Sequence, residues 1–131
     1  MIHKKKRRQC LKDSKDHLLI GTKSQGKYII KSDIVYIQAC ECYSWIFTRD
    51  GLKFLSSKAI GYYEELFSNQ NFSRIHRSFL INLSHLKQYE PSYRLVHLKG
   101  EIVLSVSHRK NRIISKMINN QELNTLLTKA I

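Results

Sequence analysis

Acidic residues are scarce in this chain: ten Asp and Glu stand against 23 Lys and Arg in 131 residues, a formal charge of +13. Nucleic acid is therefore the first class of partner to consider. Long apolar runs are missing as well. No stretch approaches the length of a membrane span, and no apolar segment of the signal-peptide kind follows the charged N-terminus, so no membrane partner is expected. The three cysteines, Cys10, Cys40 and Cys42, are odd in number, and two of them are one residue apart. They form neither a disulfide framework nor a CxxC metal pattern, which fits a reducing, cytoplasmic setting. Neither His76 nor His108 has a second His, Cys or acid at metal-ligand spacing, so no metal is expected. Catalytic signatures are lacking too: there are no paired carboxylates, no G-x-S-x-G elbow and no phosphate-cradling Gly-rich loop. Ser78 and Ser107 have basic neighbours, but no acid lies close in sequence to orient His76 as a base. Neither an enzyme nor a cofactor is implied.

What the chain does contain is 42% hydrophobic residues, enough for one domain with a core of its own. Charge is concentrated at the N-terminus, where residues 1–17 carry seven Lys/Arg against Asp13 and Asp16. Residues 1–16, lacking apolar periodicity, read as a disordered basic arm or linker remnant, serving as an electrostatic tether to DNA or as a solvated tail. The folded region is expected from His17.

From there short strand-like segments alternate with turn signals. His17–Lys23, Lys27–Lys31 and Asp33–Cys42 are the first, with Ser24-Gln25-Gly26 as a turn. Tyr43–Thr48 and Leu52–Ser56 flank Arg49-Asp50-Gly51, whose Asp-Gly is a strong hairpin signal because Gly accepts positive φ. A helix follows over about 57–69, capped by Ser56 or Ser57, with Ile60, Tyr63 and Phe67 on one face. Phe79–Leu83, Leu86–Tyr89 and Arg94–Leu98 are strand-like again. Lys99-Gly100-Glu101 turns the last of these back into Ile102–Val106. Helical spacing returns over Lys110–Met117 and Gln121–Lys129. Cys40 and Cys42 fall on one face of a strand and are expected to pack, as are Trp45, Phe47 and Phe54. Tyr43, beside a turn, is the aromatic expected at the surface.

The most informative stretch is Phe72-Ser73-Arg74-Ile75-His76-Arg77-Ser78-Phe79-Leu80-Ile81-Asn82-Leu83, where basic side chains lead directly into an apolar run. Arg74, His76 and Arg77 are thereby placed by packing at the edge of a core strand. A second constellation, His108-Arg109-Lys110 with Arg112, follows the strand Ile102–Val106. Both lie where side chains project beyond a sheet. Arginine suits such a position because its planar fork can donate two hydrogen bonds to guanine, while Lys and His pair with phosphate oxygens. A generally basic surface with no defined partner is the plainer alternative.

The Phe72–Asn82 stretch, followed by Val103-Leu104-Ser105-Val106-Ser107-His108-Arg109 and preceded by Asp33-Ile34-Val35-Tyr36-Ile37, resembles the signature of LytTR DNA-binding domains. The likeness spans residues 17–118 in order, with 119–131 as a C-terminal helical extension. It implies a mostly β fold of several short antiparallel sheets packed in a row, whose loops enter successive DNA major grooves. It further implies that Arg77 and Arg109 read bases, with a third contact near Tyr43 and Ser44. His76, Ser78 and Lys110 become backbone contacts, joined by the neighbouring cations Arg74, His108 and Arg112. The later motif usually carries two consecutive arginines, where this chain has His108 and Arg109.

Such domains commonly follow a receiver domain, for which some 17 residues leave no room. The expectation is either a stand-alone regulator or the output half of a longer response regulator. Its partners would be double-stranded DNA carrying direct repeats, a second copy on that DNA, and a receiver domain or the transcription machinery. Two rivals are a single-stranded nucleic-acid binder that stacks bases on Tyr43 and its neighbours, and a basic protein-interaction module.

Overall fold

The computed structural model describes residues 16–21 and 25–116. The expected basic arm over residues 1–16, apart from Asp16, and the helical extension over 119–131 lie outside the described residues. Among the described residues, short segments rich in β-branched and aromatic residues become ten strands. Strand β1 (His17–Ile20) pairs with β2 (Lys27–Ile30) as a two-stranded sheet. Strands β3 (Ile34–Cys40), β4 (Tyr43–Thr48), β5 (Lys53–Ser56), β6 (Phe72–His76) and β7 (Phe79–Asn82) form a five-stranded antiparallel sheet in the order β5-β4-β3-β7-β6. Strands β8 (Leu86–Glu90), β9 (Leu95–Leu98) and β10 (Ile102–Ser105) make a third sheet in the order β10-β9-β8. Helix α1 spans Ile60–Leu66, and helix α2 begins at residue 108 and continues through 116. The architecture is mostly β, in several short antiparallel sheets with two helices, as the motifs implied.

The five-stranded sheet is covered on both faces. Ile34, Ile37, Ile46 and Leu80 meet Leu18, Ile20 and Ile29 of the two-stranded sheet and Ile60, Tyr63 and Phe67 at α1. On the opposite face Val35, Tyr36, Ile75 and Ile81 meet Val96, Leu98 and Leu104 of the three-stranded sheet, together with Val106 and Ile114. Strict alternation cannot produce this division, because Val35 and Tyr36 are adjacent yet share one core. A register shift between Ile34 and Tyr36 supplies the extra residue that turns both inward on the same side. A second shift lies in β6, between Arg74 and His76. Ahead of it Arg74, paired with Leu80, lies on the α1 side, while Ile75 packs into the second core.

Several boundaries differ from the sequence expectation, each for a local reason. Asp33 belongs to a 3-10 turn over Lys31–Asp33, ahead of the strand, and pairs with Arg49 at 3.0 Å. Strand β3 stops at Cys40, and Glu41 with Cys42 forms a two-residue hairpin turn in which Glu41 adopts φ 55°. Both cysteines are exposed, which corrects the expectation that they pack on one strand face. Trp45, Phe47 and Phe54 are half-buried. The Asp50-Gly51 hairpin forms as expected, with Gly51 at φ 84°. Helix α1 is shorter than 57–69 and has no side-chain cap, because its N-cap position is Ala59, and Ser56 is engaged elsewhere. Its hydroxyl is hydrogen-bonded to the buried phenol of Tyr63 and also accepts the Lys58 amide. Burial pushes the Tyr63 phenol up from its ordinary value, with the Ser56 hydroxyl opposing that effect. Helix α2 begins two residues before Lys110 because Ser107 caps it: its hydroxyl accepts the Lys110 amide at 3.2 Å, and its carbonyl accepts the Asn111 amide at 2.7 Å.

Buried Asn82 joins the elements that meet below the sheet. Its amide nitrogen donates to the Ile34 carbonyl at 2.9 Å, and its side-chain oxygen accepts the Ser84 amide at 3.0 Å. Asn82→Ala leaves a buried carbonyl unpaired and is expected to lower stability by about 1–3 kcal/mol in urea unfolding. An unchanged midpoint would show that the bond contributes nothing net.

Candidate nucleic-acid interface

The hairpin turns β3–β4 and β6–β7 lie at the same end of the five-stranded sheet, since β3 pairs antiparallel with both β4 and β7. The amide of Ala39 donates to the Ser78 carbonyl at 2.9 Å, tying the β6–β7 turn to the last residues of β3. Tyr43, first in β4 and exposed, stands at this end too. Lys58 joins it there through its carbonyl, which accepts the Ser44 hydroxyl at 2.7 Å.

The second basic segment reaches the same region through one backbone bond. The Ser107 amide donates to the Ile75 carbonyl at 3.0 Å, so the residues that enter α2 run along the edge strand β6. Tyr89 locks the start of α2 from the other side by donating its hydroxyl to the Asn111 side-chain oxygen at 2.5 Å. Asn111 also donates its amide to the Pro91 carbonyl at 3.2 Å. The result is one open cleft of about 350 Å³, lined by Glu64, Arg74, His76, Arg77, Ser107, Arg109 and Lys110. Four cations thus face one carboxylate across a short gap. Unneutralised cations repel one another, so an approaching polyanion relieves repulsion as well as gaining attraction.

Within this cleft the side chains divide by how they are held. Arg77 and Arg109 are exposed, one on the β6–β7 turn and the other in the first turn of α2. The His76 ring accepts the Ser78 amide on Nδ1 at 3.0 Å, which leaves Nε2 to carry the proton of the neutral ring. The ring also lies 5.4 Å from that of Phe79. Lys110 is half-buried, its amide committed to the Ser107 cap. Arg74 is different, with a side chain 16% exposed and three hydrogen bonds within the chain. Nε donates to the His76 carbonyl at 2.8 Å, one terminal nitrogen to the Arg77 carbonyl at 2.5 Å, and the other to Glu64 Oε1 at 2.6 Å. Bonds from a charged donor contribute about 1.5–3 kcal/mol each. Releasing three of them to reach a phosphate would lose more than a single solvent-screened contact returns.

The remaining expected site residues lie outside the cleft. His108 and Arg112 are exposed along α2, and Ser78 is half-buried in the turn beside His76. Ser44 departs from the expectation of a base contact, being 0% exposed with its hydroxyl donated to Lys58. Its place on β4 turns it inward, because the period of two that exposes Tyr43 buries its neighbour. Sequence reasoning missed Glu64 and undervalued Ser107. Nothing local marks Glu64, which joins the site only through the packing of α1. Ser107 carried a signal, as a hydroxyl residue immediately before a helical run.

The β scaffold is covered on both sheet faces and gathers a cluster of cations at one end. The chain belongs to the LytTR family: the family model, described as the LytTr DNA-binding domain, matches residues 25–119. Among solved structures, the chain is similar to the LytTr DNA-binding domain of a protein described as a methyl-accepting/DNA response regulator from Bacillus cereus. The TM-score is 0.69 at 20% identity, over 80% of this chain and 98% of that one. No curated protein matches. Among the described residues no helix is long and apolar enough to cross a membrane, and no cluster of three or more His, Cys, Asp or Glu could hold a metal.

The burial of Ser44 separates stability from recognition. Ser44→Ala leaves the Lys58 carbonyl without its partner and is expected to cost about 1 kcal/mol in thermal or urea unfolding. DNA affinity, compared at a temperature where both proteins are folded, should be unchanged.

Proposed function

We propose that this domain binds duplex DNA sequence-specifically and acts as the DNA-reading part of a transcription regulator in the cytoplasm. The β3–β4 turn, the β6–β7 turn and the start of α2 enter the DNA grooves from one end of the sheet. The observation that carries this reading is the meeting of exposed Arg77 and Arg109, from segments far apart in sequence, at a single braced cleft. Each guanidinium can donate two hydrogen bonds to guanine O6 and N7 in the major groove, which at roughly 12 Å width admits a two-stranded ribbon. His76, Ser78, Lys110, His108 and Arg112 serve the phosphates that flank the read bases. Tyr43 contributes an exposed edge at the neighbouring turn.

Family membership extends the proposal to two copies of the domain on a direct repeat, forming a homodimer on DNA, and to an output role in a response regulator. Two-copy binding suits a domain whose cleft spans only a few base pairs, since a second site multiplies both affinity and discrimination.

The aromatic surface disfavours the single-stranded alternative. Such binding needs bases stacked on successive exposed rings, but Trp45, Phe47 and Phe54 are half-buried, and the Lys53 ammonium covers the Trp45 ring at 4.6 Å. Tyr43 stands at the candidate interface without them.

Selection of bound sequences from a random duplex library at near-physiological salt should return a short motif repeated in tandem. Unbiased recovery, with binding confined to low salt, would overturn the reading. On the selected site Arg77→Ala and Arg109→Ala should each cost about 1–3 kcal/mol and relax the base preference at one position. Equal weakening on selected and random duplexes would remove the base-reading roles. Lys110→Ala should weaken all duplexes alike and reduce the slope of log affinity against log salt by about one unit.

A further inference from the structure

We propose that Arg74 is a positioning residue rather than a contact to DNA. Anchored on Glu64, its guanidinium holds the backbone of the β6–β7 turn so that the Arg77 side chain meets its base pair in one orientation. The inference rests on the reading of Arg77 as a base-reading residue.

The turn is held at every carbonyl. Those of His76 and Arg77 accept from Arg74, and that of Ser78 accepts from the Ala39 amide. The Ser78 amide is bound in turn by the His76 ring. The backbone beneath Arg77 is therefore clamped from both sides, while its side chain remains exposed. A bidentate base contact tolerates displacement of only about 0.5 Å, so a loose turn would retain the charge of Arg77 and lose its selectivity.

The clamp is referenced to the core. Arg74 pairs with Leu80, a residue of the first core, so its side chain shares the sheet face that α1 covers. Glu64 sits on α1, whose Ile60 and Tyr63 are buried in that same core. Its carboxylate takes one terminal nitrogen of Arg74 and leaves the rest of the fork for two carbonyls. Only a planar, multi-donor cation can satisfy these three acceptors together. Lysine, a single charge point on a flexible stem, cannot. Glu64 also explains why an acid lines a cleft otherwise built to attract phosphate: it keeps Arg74 engaged.

The test compares the full chain with Arg74→Lys, Arg77→Ala and the double variant, on the selected duplex and on a scrambled one, across a salt series. Arg74→Lys retains the charge, so its salt slope should match the parent. Affinity for the selected duplex should fall about tenfold, ~1.4 kcal/mol, while affinity for the scrambled duplex stays within roughly twofold. In the Arg77→Ala background the same change should cost nothing further, because it acts through Arg77. Glu64→Gln provides a second route should Arg74→Lys melt too low, and the ratio of selected to scrambled affinity should fall in it as well. Additive effects of Arg74→Lys and Arg77→Ala would overturn the proposal. So would a Glu64→Gln variant that binds both duplexes more tightly with an unchanged ratio, which would mark Arg74 as a phosphate contact held in reserve. Absence of any sequence preference in the parent protein would instead overturn the base-reading role itself.

Discussion

One backbone hydrogen bond, from the Ser107 amide to the Ile75 carbonyl, makes two basic segments into one site. Each segment alone is a few cations at the end of a strand, a common surface feature with little power to discriminate. The bond brings the entry to α2 against edge strand β6. Apolar packing of Val106 and Ile114 with Ile75 then excludes water from beneath it. Because the bond links main-chain atoms, it is indifferent to which cations the flanking positions carry. The site can vary in its reading residues without losing its frame.

That frame depends on burying a five-stranded sheet on both faces while leaving one end open. The two register shifts achieve this. The one in β3 distributes Ile34 and Ile37 to one core and Val35 and Tyr36 to the other, so a single strand is anchored on both sides. The one in β6 falls between Arg74 and His76, immediately before the turn that carries Arg77. A regular strand would place every second residue alike. Regular pairing up to Leu80 sets Arg74 on the α1 side as a brace, and the shift comes only after it, ahead of the turn. Such bulges are features that re-aim side chains, and here the re-aimed residues include the candidate contacts.

Charge in the interface is graded by cost of release. Arg74 is tied into the chain by two carbonyls and a carboxylate, Lys110 is half-buried, and Arg77 and Arg109 are exposed. Long-range attraction depends on the total charge, which all of them supply. Selectivity depends on which of them can change partners when DNA arrives, and only the loosely held ones can do so cheaply. The +13 charge of the chain therefore measures attraction and says little about reading.

Much of this was legible in the residues themselves. The alternation of apolar and polar positions, the Asp50-Gly51 turn and the ordered motifs around Arg77 and Arg109 specify a mostly β LytTR domain with two basic segments, because hydrophobic period and turn chemistry are local properties. Tertiary structure alone decided which side chains are available. Ser44 lies inside because the β3–β4 turn closes at Glu41 and Cys42, which sets the phase of β4. Arg74 is committed because its face of β6 meets a helix that only packing brings near. Glu64 enters the site from that helix with no motif to mark it. Charge and periodicity can be read from sequence, but whether a cation is spent or available depends on its partners across the fold, and those are set by packing over long sequence separations.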